Sequence, residues 1–514
     1  MKPIKRNAPG RSHSSDHRSG KPISHPSFTH SEPAGSDSIL KKGGKASTLE
    51  YPPLLESLTD DYIREKTGKE TDDPEFLDRL RQSVMAQKAV YWKREQDRVV
   101  KYGRAYDTFS YLAYHMPVYF CQFRSLLQML ARDGILPEEI SMLDLGTGPG
   151  VAVLAAISLQ AERTSGSLEV SSVELSDEHR EAFGFIVPKY ASGKRSVLIH
   201  PPIKGDLLRL SDADIPACNI ISLQNVIAEL THVSIADRAA VILKYVKHLA
   251  DDGILIIVEP AELSHATALR KVQRELIRGG LYVYGPCTFL WGSQCDPSSC
   301  WTFCEGDSIQ ATSLMKKMGG DDEAFRFVNT DLKYSWLIMT KRPLSRCTVR
   351  IPKKTRMVRL SQLEKHNGRV VSVTASRMSG DIGTKGMHLF KLCDGTCRDP
   401  VFAVLSGRNR RPGHSVLFTA EYGQVLMLSD VQVKRHQHHD AWNLIINQRS
   451  SVRVAQDPGD QVFKPTPDFD EDENYDDPED SISAAKISPC PSPGPSGKRT
   501  DIRKNPGKND KHRR

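Results

Sequence analysis

Ser141-Met-Leu-Asp-Leu-Gly-Thr-Gly-Pro-Gly150 decides the fold of this chain. Its first half, Ser141-Met-Leu-Asp-Leu145, is a short apolar run of the kind that becomes a buried strand. Its second half sets Gly146, Gly148 and Gly150 at alternate positions, where backbone leaving a strand can turn sharply and approach a ligand without Cβ collisions. Gly150 to Leu159 then reads as a helix. Strand, glycine turn and helix in that order open a βαβ unit.

The pattern continues outward from there. Leu168 to Leu175 is β-rich, Asp177 to Tyr190 helical, and Ser196 to His200 a short strand. Asn219 to Gln224 reads as buried strand, Ile235 to Ala250 as helix, and Ile254-Leu-Ile-Ile-Val258 as a fully apolar strand. Such alternation predicts an α/β, doubly wound parallel sheet covered by helices on both faces. Ligands bind these sheets beyond the carboxyl ends of their strands, where the glycines lie. Asp144 immediately precedes the loop and Glu174 closes the next strand, placed to accept hydrogen bonds from ribose hydroxyls. A nicotinamide site would favour Gly-x-Gly-x-x-Gly; Gly146-Thr-Gly-Pro-Gly150 is closer to the glycine motif of class I S-adenosylmethionine methyltransferases and resembles that family. The resemblance implies that Gly146, Gly148 and Gly150 line the methionine and ribose side of the cofactor, Glu174 holds the ribose, Asp206 lies near adenine and Asn225 faces the pocket floor, with Asp144 and Thr147 also among the cofactor-binding residues. From the residues alone, Asp206 is equally a turn aspartate, and Glu229 is either a carboxylate behind the pocket or a solvated helix residue.

Cys287, Cys295, Cys300 and Cys304 bunch within eighteen positions, spaced Cys-x7-Cys-x4-Cys-x3-Cys. Thiolates are soft anionic donors, and four of them suffice for tetrahedral zinc or for a four-iron cluster. Paired Cys-x2-Cys knuckles are absent, while Phe289, Trp291, Trp301 and Phe303 supply the apolar shielding that suits an iron-sulfur cluster. The readings are therefore a 4Fe-4S cluster, zinc, or unliganded or disulfide-paired thiols, with the cluster preferred.

Gly285-Pro-Cys287, the later Cys300-Trp-Thr-Phe-Cys304 and Leu332-Lys-Tyr-Ser-Trp-Leu-Ile338 recur in this order in the methyltransferase-like assembly factors of the small ribosomal subunit. The chain resembles that family from residue 60 to residue 343. The resemblance implies a class I methyltransferase fold, association with the small ribosomal subunit and its rRNA, and a cysteine-bound four-iron four-sulfur cluster. Thr288 and Phe289 stand after Cys287 where the family pattern has Pro-His. The segment after the fourth strand is Gln224-Asn-Val-Ile-Ala, without the Asn/Asp-Pro-Pro-aromatic element of base-nitrogen methyltransferases, and no catalytic residue is assigned. Cys218, at the start of a strand, reads as packed rather than nucleophilic.

The flanks divide the chain into five parts. Residues 1–53 form a basic arm expected to be disordered; Met1 to Ser47 carries nine Lys/Arg against three Asp/Glu among Ser, His, Gly and Pro. Residues 54–135 read as a helical cap whose block of Tyr106, Phe109, Tyr111, Tyr114, Tyr119, Phe120 and Phe123 is expected to be core. The methyltransferase-like domain follows at 136–343. From 353 to 454 short β-rich runs punctuated by glycine predict a small OB-like barrel, with strands at 368–373, 389–392, 401–405, 416–418 and 425–428 and a further one at 442–446. Arg369, Arg377, Lys391, Arg408, Arg410 and Arg411 are candidates for tracking an RNA backbone, with Phe390 or Phe402 stacking a base unless both are core. Cys393 and Cys397 read as ordinary barrel thiols. Residues 455–514 are an acidic and then basic tail.

Ten cysteines in 514 residues do not make a secreted disulfide scaffold, and no apolar run approaches a bilayer span. A soluble protein in the cytoplasm, with no membrane partner, is expected; oligomeric state is not readable. The expected function is an S-adenosyl-L-methionine-dependent, iron-sulfur, methyltransferase-like protein with RNA as acceptor, the alternative being a catalytically silent RNA-binding assembly factor.

Overall fold

The computed structural model describes residues 50–91, 105–211, 213, 215–351, 355–437 and 439–455. The expected arm up to residue 49 and tail from residue 456 lie outside them. Four helices open the described chain: α1 (Pro53–Thr67), α2 (Pro74–Tyr91), α3 (Ala105–Ser110) and α4 (Met116–Arg132). Proline in the first turn starts α1 and α4, where its missing N–H is not needed, and Gly68 in a left-handed conformation ends α1. A single π-helical turn, Tyr111–His115, joins α3 to α4. Phe109, Phe120 and Phe123 are fully buried, so these three aromatics are core, as read from the sequence.

The sheet is built from β1 (Glu139–Leu145), β2 (Ser167–Glu174), β3 (Val197–Ile199), β4 (Cys218–Gln224), β5 (Leu249–Pro260), β6 (Tyr282–Gly285) and β7 (Lys333–Thr340). Its order is 3-2-1-4-5-7-6, with β7 alone running antiparallel between β5 and β6. Two-residue strands at Ile203–Lys204 and Cys304–Glu305 extend it beside β2 and β7. Helices α5 (Val151–Glu162), α6 (Asp177–Ala191), α7 (Ile235–Val246) and α8 (Leu263–Arg278) connect the strands. Because successive strand residues face opposite ways, Met142, Ile220 and Ile256 pack with α4, α5 and α6, while Leu143, Ile221 and Ile257 pack with α7 and α8. Both faces are thus covered, and the sheet is the doubly wound class I methyltransferase fold. One boundary differs from expectation: Leu249 and Ala250 begin β5 instead of ending a helix. His248 N–H turns back to Tyr245 O while His248 O accepts from Cys218 N–H, drawing the backbone into the sheet after Val246.

The second part is a barrel of β8 (Val370–Arg377), β9 (Met387–Cys393), β10 (Val401–Ser406), β11 (Val425–Arg435) and β12 (Trp442–Ile446), with β13 (Ser451–Val454) added on β11. Pairing runs β8-β9-β10-β12-β11 and closes from β11 back to β8, with β10 and β12 parallel. This is the closed five-stranded barrel of an OB-fold. Val416–Thr419 is a helical turn between β10 and β11, so the strand expected at 416–418 is replaced by β12 as the fifth barrel member. Phe390 is fully buried in the barrel core with Leu405, Leu428 and Leu444. Among the described residues no helix is long and apolar enough to cross a membrane.

Candidate functional site

Two sites emerge, one at the carboxyl edge of the sheet and one where the sheet domain meets the barrel. At the first, Gly146 N–H and Thr147 N–H both donate to Val173 O, folding the glycine loop over the end of β2. Gly146 (φ 72°) and Gly150 (φ 94°) are obligatory: a Cβ would stand 2.7 Å from Val226 at the first and 2.6 Å from Val187 at the second. Glu174 accepts from Gly148 N–H and Ser176 N–H, each at 2.7 Å. Burial pushes its carboxyl above the ordinary range, and those N–H groups oppose the shift. Asp144, 2% exposed, accepts from the Ser222 hydroxyl at 2.5 Å; burial pushes it up to about 6, with the Ser222 and Thr147 hydroxyls opposing.

Asn225 follows β4 in the left-handed region (φ 62°), 7% exposed, and neither atom of its amide has a hydrogen-bond partner among the described residues. Unsatisfied buried amides are costly and usually mark a ligand or ordered water. The turn is fixed from behind by Glu259, at the end of β5, whose carboxylate accepts from Ile227 N–H at 2.8 Å and Ala228 N–H at 2.9 Å. Fully enclosed, Glu259 is pushed up to about 8 by burial. Glu229 lies in that same turn, its N–H bonded to Val226 O. Asp206 Oδ1 accepts from Leu208 N–H at 2.9 Å, making it a turn aspartate, one residue beyond Gly205, whose N–H bonds to Glu174 O.

The helical cap contributes more than core packing. Tyr111 rings against His179 at 5.4 Å, His115 stacks on Tyr119 at 5.4 Å, and a Cβ on Gly148 would lie 3.7 Å from His179 Nδ1. Gln224 donates to Tyr119 O at 2.8 Å. An aromatic wall therefore runs from the end of β4 to the glycine loop, and the π-helical turn that carries Tyr111 and His115 re-aims side chains in the manner usual at functional sites. Burial brings both histidines down to about 4, leaving them neutral at pH 7. The core role expected for this block from the sequence therefore leaves out the wall formed by Tyr111 and Tyr119.

At the second site Cys287, Cys295 and Cys300 surround a cavity of about 230 Å³, and the fourth cysteine on its wall is Cys393, at the end of β9 in the barrel. Cys304 is elsewhere: it pairs with β7 and sits against Tyr334, Trp336 and Arg377, and burial pushes its thiol up to about 11. Of the four cysteines expected together, the structure brings Cys287, Cys295 and Cys300 to one cavity wall, joined there by Cys393, and leaves Cys304 off it. Cys304 leaves the loop as the first residue of a two-residue strand paired with β7, whereas the barrel presents Cys393 to the cavity. Cys397 contacts the Cys393 thiol at 3.7 Å and belongs to the barrel core. Among the described residues no three His, Cys, Asp or Glu side chains converge closely enough to hold a single metal ion. The four thiols ring a space instead.

The walls of that space are fixed without them. Thr288 and Ser376 hydroxyls bond at 2.6 Å, Trp291 N–H donates to Asp394 O, Phe303 N–H to Met378 O, and the Tyr422 hydroxyl to Thr302 Oγ1 at 2.9 Å. Gly395 (φ 89°) lets the barrel backbone close on Phe289 and Gly292.

Of the candidate RNA contacts, Arg369, Arg408, Arg410 and Arg411 are exposed, and Arg410 lies 4.4 Å over the Phe418 ring. Lys391 does not join them. It is 5% exposed, on the β9 face that also carries Cys393, because strand residues two apart share a face. Arg377 is likewise buried, donating to Ala420 O.

A family model described as mitochondrial small ribosomal subunit Rsm22 matches residues 105–381, more than half of the chain. The chain belongs to the Rsm22 family. The Rsm22 match takes in the glycine loop and Cys287, Cys295 and Cys300 but stops before Cys393. Residues 361–455, which include Cys393, match the C-terminal domain of DUF8157, a domain of unknown function. No curated protein matches the chain. Among solved structures, a protein described as an RNA methyltransferase from Pyrococcus horikoshii is 14% identical with a TM-score of 0.28, covering 44% of this chain and 84% of its own. Magnesium protoporphyrin IX methyltransferase from Synechocystis PCC 6803 is 12% identical with a TM-score of 0.28, covering 55% and 98%. These likenesses are distant, and the fold assignment stands on the strand order.

Proposed function

We propose that this Rsm22-family chain binds S-adenosyl-L-methionine at the carboxyl edge of its sheet, carries a four-iron four-sulfur cluster between its two domains, and acts on or binds small-subunit ribosomal RNA. The observation that carries the first part is Asn225, a buried side-chain amide without hydrogen-bond partners among the described residues, beside a glycine loop with no room for a Cβ at Gly146 or Gly150. The residues present fit an adenosyl cofactor. Glu174 presents a carboxylate at the end of β2 toward which ribose hydroxyls could donate, and the Asn225 amide offers a donor and an acceptor on the pocket floor. Asp144, beneath the loop, presents a carboxylate that is largely ionised near pH 7. The sulfonium would supply the methyl group; the chain's own contribution is to orient it and exclude water between the glycine loop and the aromatic wall. A second reading, a factor that binds the cofactor without transferring its methyl group, is favoured by the Gln224-Asn-Val-Ile-Ala segment, which lacks the Asn/Asp-Pro-Pro-aromatic element of base-nitrogen methyltransferases.

Cys287, Cys295, Cys300 and Cys393 fit a metal-sulfur centre by donor chemistry, since thiolates are soft and anionic. That three thiols of one loop and a fourth from the barrel line one cavity supports a shared metal-sulfur centre. Arg369, Arg408, Arg410 and Arg411 make the barrel's RNA-facing set.

Incubating anaerobically purified protein with labelled cofactor and immature small subunits separates the readings. Methyl incorporation that is lost in Asp144→Ala supports an enzyme. Tight cofactor binding without incorporation supports the silent factor, and no cofactor binding overturns both. Iron and acid-labile sulfide with visible absorption support the cluster; zinc without either refutes it.

A further inference from the structure

Arg270, on α8, is 2% exposed and lines the cysteine cavity, with Nη1 3.9 Å from Cys287 Sγ. Its guanidinium is held by Gln273 Oε1 at 2.6 Å, Ser335 Oγ at 3.1 Å, the Tyr422 hydroxyl at 3.3 Å and Trp336 O. All of these are neutral acceptors. No carboxylate pairs with Arg270 among the described residues, and its Nη1 faces the Cys287 thiol on the cavity wall.

An arginine does not shed its charge in a protein, so a buried guanidinium without a counter-ion is a strongly unfavourable arrangement. The negative charge must come from the cavity it faces. A second cation lies on the barrel side: Lys391, buried on the β9 face shared with Cys393. The adjacent acid, Asp394, is committed to Leu360 N–H and to the backbone and hydroxyl of Thr396. Arg274 and Arg278 complete the cavity wall from solvent-exposed positions.

We propose that Arg270, seconded by Lys391, is the resident counter-charge of an anionic metal-sulfur centre and sets both its retention and its reduction potential. The inference rests on the cluster reading. Positive charge and N–H···S contacts stabilise the more negative, reduced level of a thiolate-bound cluster, so they raise its potential. Arg270 is a positioning residue: it bonds to a ligand sulfur and takes no part in any transfer.

The test uses the full chain, purified without oxygen, as wild type, Arg270→Met, Arg270→Lys and Lys391→Met, each checked for a cooperative thermal transition. Iron and sulfide per chain, cluster release to a chelator, and the midpoint potential from a dithionite titration followed by electron paramagnetic resonance are measured. Arg270→Met should release its cluster about tenfold faster or more and shift the midpoint to a more negative value. Lys391→Met should shift it the same way by less, and Arg270→Lys should restore most of both properties. If Arg270→Met fails to fold, Lys391→Met decides. A folded, loaded neutral variant with wild-type potential and release rate overturns the counter-charge assignment alone. Wild-type protein holding zinc without sulfide overturns the cluster reading beneath it.

Discussion

The glycine-loop pocket and the cysteine cavity are built by opposite strategies. The first draws its polar groups from neighbouring strand ends, so Asp144, Glu174 and Asn225 come together as soon as the sheet forms. The second joins three thiols of one loop to a fourth, Cys393, that lies 93 positions beyond Cys300 and in another domain. A site made within one sheet survives changes at a distance; a site made across an interface depends on both walls. Perturbations should therefore strike one and spare the other.

The largest effect is expected on the pocket side. Gly150→Ala places a Cβ against Val187 and Phe183 at a positive φ and should destabilise the chain by roughly 2 to 5 kcal/mol in thermal or urea denaturation. Gly413→Ala, which meets nothing within 4 Å, is the control. A Gly150→Ala protein as stable as wild type would break the view of the loop as a close-packed cradle.

Glu174→Gln should weaken cofactor binding by about 1.5 to 3 kcal/mol in calorimetry, because a charged acceptor is lost, while iron and sulfide stay at wild-type levels. Equal losses at both sites would mean that pocket and cavity are one cooperative unit.

Glu259 sharpens the comparison through pH. Its carboxyl holds its proton more tightly folded than unfolded, so its contribution to stability is complete below the ordinary value of 4.5 and is lost as pH rises toward about 8. The wild-type melting temperature should fall relative to Glu259→Gln across that window, and parallel profiles would remove Glu259 from the account. Asp144 adds the same sign between 3.8 and about 6.

The smallest effect belongs to the barrel surface. Neutralising Arg408, Arg410 and Arg411 together should weaken RNA binding across sequences and lower the salt slope by about 2 to 3, with stability and both interior sites unchanged. An unaltered slope would move the RNA contact elsewhere.

What could be read from the sequence follows the same division. The strand-glycine-helix unit at 141–159, the alternation that follows it and the acid at Glu174 are local patterns, and the sheet reproduces them within a few residues. Val416-Leu-Phe418 misled because a three-residue apolar run satisfies a strand and a helical turn alike. Cys393 could not be found by spacing, since its nearness to Cys300 exists only once barrel and sheet have docked. Lys391 and Arg377 read as surface cations because charge is ordinarily solvated; the barrel buries both at its contact with the other domain. Asn225 was legible as a position but not as an unsatisfied amide, which only tertiary enclosure reveals.

The account turns on the domains jointly building the thiol site, and the most direct measurement is iron and acid-labile sulfide in anaerobically purified Cys393→Ala and Cys304→Ala beside wild type. Cys304→Ala should keep the wild-type content and Cys393→Ala should lose most of it. Full retention in Cys393→Ala with loss in Cys304→Ala would contradict the account.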